Sequence, residues 1–124
     1  MARPQRSRKI CIEPIYRDFG PLTTEASEES RPAENYIEMT LDEYETIRLI
    51  DRVGLTQELC SRHMGVSRTT VTQIYENARR KLAEMLVSGM PIRIQGGNYQ
   101  VCNGHKPDGT GGMCAACLNE VVNQ

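Results

Sequence analysis

Four residues near the carboxy end of this 124-residue sequence, Cys102, His105, Cys114 and Cys117, have types and spacing suited to holding a metal ion. They form two pairs, Cys102-Asn103-Gly104-His105 and Cys114-Ala115-Ala116-Cys117. Two intervening residues let both side chains of a pair converge on one centre. Three thiolates and one imidazole then make the closed tetrahedral set of structural zinc. Gly104, Gly109, Gly111 and Gly112 would let the loop between the pairs fold back. Cys11 is a further candidate ligand, because a strand near residues 9–13 would carry it to the same place. Cys11, Cys102, Cys114 and Cys117 would form a four-thiolate site suited to zinc or to an iron–sulfur cluster. The competing expectation is a reduced tail that holds no metal. Cys60, the remaining cysteine, falls on the apolar side of a predicted helix and reads as core.

A second group of residues has the chemistry of a groove reader. Residues 56–76 meet the demands of a helix-turn-helix: Ser61 is small where two helices must cross, and Gly65 tolerates the positive φ of the reversal. Cys60, Met64, Val66, Val71 and Ile74 supply the apolar contacts that fix the angle between the helices. The outward side of the second helix would carry Arg68, Thr69, Thr72 and Gln73, with Glu76 one turn on. Arginine can fork onto guanine, glutamine can pair with adenine, and threonine can offer a hydroxyl or a methyl. Ser67 and the free amides at the helix start suit a phosphate. Arg79, Arg80 and Lys81 follow as a basic cluster expected to lie along the nucleic-acid backbone. His63, beside the turn, reads as surface-exposed.

The run Ser67-Arg68-Thr69-Thr70-Val71-Thr72-Gln73-Ile74, followed by Ala78-Arg79-Arg80-Lys81-Leu82, resembles the promoter-reading fourth region of bacterial sigma factors. More of the chain resembles a family of small, largely uncharacterised prokaryotic proteins predicted to bind DNA. The marks are Arg3-Pro4, Glu13-Pro14 before Phe19-Gly20-Pro21, Thr40-Leu41-Asp42-Glu43-Tyr44-Glu45 and Ile47-Arg48-Leu49-Ile50-Asp51. Gly54-Leu55-Thr56-Gln57-Glu58 and Arg93-Ile94-Gln95-Gly96-Gly97 complete them. The resemblance runs over about residues 1–102, weakens in the cysteine-bearing tail, and implies a sigma-like helix-turn-helix.

The elements that must position these groups are mainly helical. Thr40-Leu41-Asp42-Glu43 matches a capping box, and Leu41, Tyr44, Ile47 and Ile50 recur at helical spacing up to a stop at Gly54. A short helix is expected over 57–64 with Thr56 as its cap. Ser67 caps a long third helix whose stripe is Val71, Ile74, Ala78, Leu82, Met85 and Leu86, ended by Gly89 and Pro91. Residues 9–16 read as a short edge strand limited by Pro14, and 18–35 as a linker rich in Glu and Ser. Ile92-Arg93-Ile94 and Tyr99-Gln100-Val101 flank Gly96-Gly97-Asn98 as a plausible hairpin. The expected organisation is a basic arm, strand and acidic linker over 1–39, a three-helix helix-turn-helix domain over 40–90, a β-hairpin over 91–101 and a Cys/His tail over 102–124.

Fifteen Lys and Arg against sixteen Asp and Glu give a formal net charge of −1, which argues against bulk coating of nucleic acid. The balance is uneven. Residues 21–45 set Arg31 against eight carboxylates, whereas residues 46–93 set eight cations against Asp51, Glu58, Glu76 and Glu84. Sign asymmetry of this kind points to a nucleic-acid face, and Arg3, Arg6, Arg8 and Lys9 resemble a minor-groove arm. The longest apolar run, residues 113–118, is far short of the roughly 20 residues of a membrane span. No apolar stretch follows the basic start, so a cytoplasmic protein is expected, and five cysteines there favour metal or redox chemistry over disulfides. No constellation of catalytic groups or small-molecule substrate site stands out, so no enzymatic activity is expected. The expected function is transcriptional regulation by a homodimer on double-stranded DNA, modulated by metal or redox state at the cysteines. The alternative is a metal-binding module that docks on a protein partner such as the transcription machinery, using Tyr75 and the exposed face of the long helix.

Overall fold

The computed structural model describes residues 7–22, 35–102 and 117. In order along the chain these form β1 (Arg8–Ile10), β2 (Asp18–Phe19), β3 (Ile37–Met39), α1 (Leu41–Ile47) and a π-helical continuation (Arg48–Val53). After these come α2 (Gln57–Met64), α3 (Arg68–Ser88), β4 (Ile92–Ile94) and β5 (Tyr99–Val101).

Local chemistry sets each helix boundary. Thr40 is extended, and its N–H donates to Glu43 Oε1 at 2.9 Å, so the first turn of α1 reaches back over its own start. Gly54 ends the π-helical segment at φ +94°. Thr56 Oγ1 accepts the Leu59 N–H at 3.1 Å to open α2. Ser67 Oγ accepts the Thr70 N–H at 3.1 Å to open α3. Between them Gly65 reverses the chain at φ +70°, and α3 closes at Gly89. Every helix edge expected from the sequence is found, except that the first helix widens its pairing pattern into a π-helix from Arg48 onward.

Two apolar clusters hold the layers together. Ile10, Met39, Leu41, Ala78, Ile92 and Ile94 join the strands to α1 and α3. Leu49, Cys60, Met64 and Val71 join the first helix to α2 and α3. The expected stripe of α3 is buried at Val71, Ile74 and Ala78 and packs on the core at half-buried Leu82 and Met85, but Leu86 is 80% exposed because the helix outruns the elements that cover it.

The strands depart from expectation. The hairpin over 91–101 does not form. β4 is a central strand, antiparallel to β2 and parallel to β3, so both of its edges are taken, and β5 pairs instead with β1 in parallel. The Gly96–Gly97 turn is held against the start of α1, where the Leu41 N–H donates to the Gly96 carbonyl and the Gln95 N–H to the Met39 carbonyl. The single strand expected over 9–16 is cut to Arg8–Ile10, and the supposed linker contributes β2. β3 was also unforeseen, at the end of the expected 1–39 arm and linker segment. These short strands carry little periodicity of their own; they exist because Ile92 and Ile94 need flanking backbone to close the sheet under α3.

Glycine positions give a direct test of this geometry. Gly54 and Gly97 both have positive φ, but a Cβ on Gly54 meets open space, whereas one on Gly97 would come within 2.8 Å of the Thr40 Cβ and of Asp42 Oδ1. Gly54→Ala should therefore cost about 1–2 kcal/mol from backbone strain alone. Gly97→Ala should cost measurably more, read as the difference in chemical denaturation midpoints.

Candidate metal centre and nucleic-acid interface

The register of β1 against β5 builds the cysteine site. Ile10 lies opposite Val101, and the Cys102 N–H donates to the Ile10 carbonyl at 2.8 Å, which carries Cys102 alongside Cys11. Cys117 joins them, and the three sulfurs all lie within 4.8 Å of one another. Cys11 and Cys117 are buried and Cys102 is half-buried. Of the expected four-thiolate set, the described residues bring together three members, Cys11, Cys102 and Cys117. His105 and Cys114 lie outside the described residues. Three soft sulfur donors this close, under Ile12, suit a thiophilic ion.

Cys60 takes no part. Burial and the negative charge of Glu45 push its thiol up to about 12, so it is a neutral core group.

Behind the cysteines lies a buried polar network. The Cys11 N–H donates to Glu45 Oε2 at 2.5 Å, Arg48 Nε donates to Glu45 Oε1 at 2.5 Å, and His63 Nε2 stands 3.6 Å from Glu45 Oε2. Glu45 is fully buried, and Arg48 and His63 are 4% and 1% exposed. His63 is therefore an interior residue, contrary to the surface position expected; it shares the inner face of α2 with Cys60 and Met64. Neither Glu45 nor Arg48 was singled out by sequence reasoning. The signal was present, since Glu45 falls at the four-residue step between Leu41 and Leu49 and so must point inward. Burial alone would raise the Glu45 pKa, but the facing His63, the hydrogen bond and charge of Arg48 and the Cys11 amide outweigh it and hold the carboxyl below its ordinary range.

The other candidate residues lie along α3. Ser67, Arg68, Thr69 and Gln73 are exposed, while Val71 and Ile74 face the core. Thr72 is half-buried, its hydroxyl 2.5 Å from Gln57 Oε1 and 3.0 Å from the Arg68 carbonyl, so it ties α3 to α2. Arg79 is exposed, lies over the Tyr75 ring at 5.3 Å and donates to the Tyr75 hydroxyl at 2.8 Å. Tyr75 in turn donates to Asp51 Oδ1 at 2.7 Å and is only 8% exposed, which removes it as a surface contact. Arg80 is exposed, with its guanidinium 3.3 Å from Asn77 Oδ1. Lys81 is paired with Glu43 Oε1 at 2.5 Å and clamps α3 to α1, so a phosphate contact there would require breaking that pair. Arg8 and Lys9 belong to β1 and not to an arm, and Arg8 Nε lies 4.0 Å from Asp42 Oδ2. Arg3 and Arg6 lie outside the described residues. Among the described residues, no helix is long and apolar enough to cross a membrane.

Two outcomes follow from the buried groups. The stability that ionised Glu45 contributes is full above its unfolded value of about 4.3 and is lost as pH falls from there through the lower folded value. Glu45→Gln should cost about 3–5 kcal/mol at neutral pH and flatten the acid limb of the stability–pH curve, measured by denaturation at stepped pH. In metal-free native protein, iodoacetamide should label half-buried Cys102 well before Cys60, whose thiolate fraction near pH 8 is on the order of one in ten thousand; peptide mass mapping reads the order.

A family model described as "Protein of unknown function DUF134" matches residues 1–102. A UPF0251 protein of Desulfitobacterium hafniense (strain Y51) is 51% identical over 104 residues, covering 84% of this chain and 79% of the relative. One from Chlorobaculum tepidum is 41% identical over 117 residues, covering 94% of this chain and 55% of the longer relative. One from Desulfosudis oleivorans is 36% identical over 120 residues, covering 97% and 81%. No solved structure matches the chain. Among the described residues, the matched stretch takes in the five strands, the three α-helices, and Cys11 and Cys102 of the thiol cluster. On that coverage and those identities, the chain belongs to the DUF134/UPF0251 family.

Proposed function

We propose that the protein is a sequence-specific DNA-binding transcriptional regulator, with α2 and α3 acting as a sigma-like helix-turn-helix and the cysteine centre binding zinc. The observation that carries this reading is the division of α3. Its first turns bury Val71 and Ile74 while Arg68, Thr69 and Gln73 stand exposed beside the Ser67 cap. Those three side chains are the base-reading set, and Thr72 joins them only by giving up its bond to Gln57. Arg79, held over Tyr75, and Arg80 follow about two turns after Gln73, and in this reading they meet the backbone of the duplex. Lys81 serves the fold first. Zinc is preferred to an iron–sulfur cluster because three thiolates and one further donor complete a tetrahedral shell. The fourth donor in this reading is Cys114 or His105. A single small unit of this kind gives limited specificity, so the protein acts in the cytoplasm as a homodimer on a two-fold site.

The alternative, a metal-binding module that docks on a protein partner without reading DNA, keeps one observation in its favour: Leu86 and Val87 are exposed at the far end of α3. Selection from a random duplex pool separates the two readings, since a reproducible consensus supports the regulator and its absence overturns it. Against the selected duplex, Arg68→Ala should relax preference at one base position by about 1–3 kcal/mol. Arg80→Ala should weaken binding uniformly and reduce the salt slope by about 1. Indifference to both changes would contradict the proposal.

A further inference from the structure

We infer that Glu45 is a positioning residue that couples occupancy of the Cys11–Cys102–Cys117 centre to the packing of α2 through His63. The inference deepens the reading of α2 and α3 as a DNA-binding unit and rests on it for its biological consequence, though not for its physics. One carboxylate oxygen is shared between the two regions. Glu45 Oε2 receives the amide of Cys11, a candidate ligand, at 2.5 Å and faces His63 Nε2 of α2 at 3.6 Å. The other oxygen is held by Arg48, the first residue of the π-helical segment. His63 is 1% exposed, and among the described residues neither ring nitrogen has a hydrogen-bond partner. A buried, unsatisfied imidazole beside a shared acceptor is sensitive to small movements of that acceptor.

Metal ligands are commonly oriented by hydrogen bonds behind them, and those partners tune affinity. Here the orienting group behind Cys11 is also the group that His63 faces. An ion on the three sulfurs fixes Cys11 and its amide, which fixes Oε2 between Cys11 and His63. His63 shares its face of α2 with Cys60 and Met64, which pack on Val71 of α3. A change in the Glu45–His63 contact thus reaches the seam that sets α2 against α3. A plain structural ion pair between Glu45 and Arg48 would give no such link.

The test is backbone hydrogen exchange of the full chain with and without one equivalent of zinc ion. Zinc should slow exchange about tenfold or more at residues 10–12 and also at residues 60–66. In His63→Gln, zinc should still bind with unchanged stoichiometry and protect residues 10–12, while the response at 60–66 falls below about twofold. In Glu45→Gln, zinc affinity should fall about 10–100-fold and the response at 60–66 should be lost with it. Equal protection of 60–66 in wild type and His63→Gln would overturn the inference. So would protection confined to 10–12 in wild type, or a failure of zinc to bind. A chain that shows the expected exchange pattern but selects no duplex supports the coupling and overturns the DNA-binding reading, which keeps the two failures distinct.

Discussion

The carboxylate of Glu45 is the constraint on which the rest of the structure depends. It is fully buried and holds the end of β1 through the Cys11 amide and the π-helical segment through Arg48, with α2 packed against it through His63. Removing such a charge from water carries a large desolvation cost, offset only when partners on several sides satisfy it. Glu45 has those partners because Cys11 and His63 come from two elements distant in sequence to join Arg48, three residues on, so the carboxylate is stable only when β1, α1 and α2 are assembled together. That requirement makes the cysteine end and the α2–α3 end of this small protein one cooperative object.

The thiol cluster follows from the same geometry. β5 is parallel to β1 because β4 has no free edge, and the parallel register is what sets Cys102 beside Cys11. Had the chain closed a simple hairpin after β4, Cys102 would have been carried away from Cys11. The two glycines at 96 and 97 serve this crossover by letting the chain press close, since a side chain at 96 would strike Glu38 and one at 97 would strike Thr40 and Asp42 at the start of α1.

The helices were legible in the sequence because their signals are local. Thr40 with Glu43, Thr56, Ser67 and the stop glycines 54, 65 and 89 each act within a few residues of the boundary they set. The inward stripe of α3 was legible as far as Met85, and failed at Leu86, where burial depends on what other elements happen to cover. Strand pairing was not legible, since strands of two or three residues have no period to read and their partners are chosen by the edges left open. Cys11 could be kept as a candidate ligand because a strand near residues 9–13 would carry it there, but its place beside Cys102 needed the β1–β5 register. His63 was misplaced because a histidine beside a turn is usually wet, and its burial follows from Glu45, a partner eighteen positions earlier. Lys81 looked like one of three equivalent cations, yet its contact with Glu43 across α1 and α3 separates it from Arg79 and Arg80.

The central claim is that the exposed side of α3, held in place by this buried network, meets a DNA groove. The most direct measurement is the set of backbone amide shifts of isotopically labelled protein titrated with its selected duplex. The account predicts the largest changes at residues 67–73 and at Arg79 and Arg80, with little change at residues 86–90. Changes concentrated at Leu86, Val87 and the neighbouring loops, with residues 67–73 silent, would contradict it.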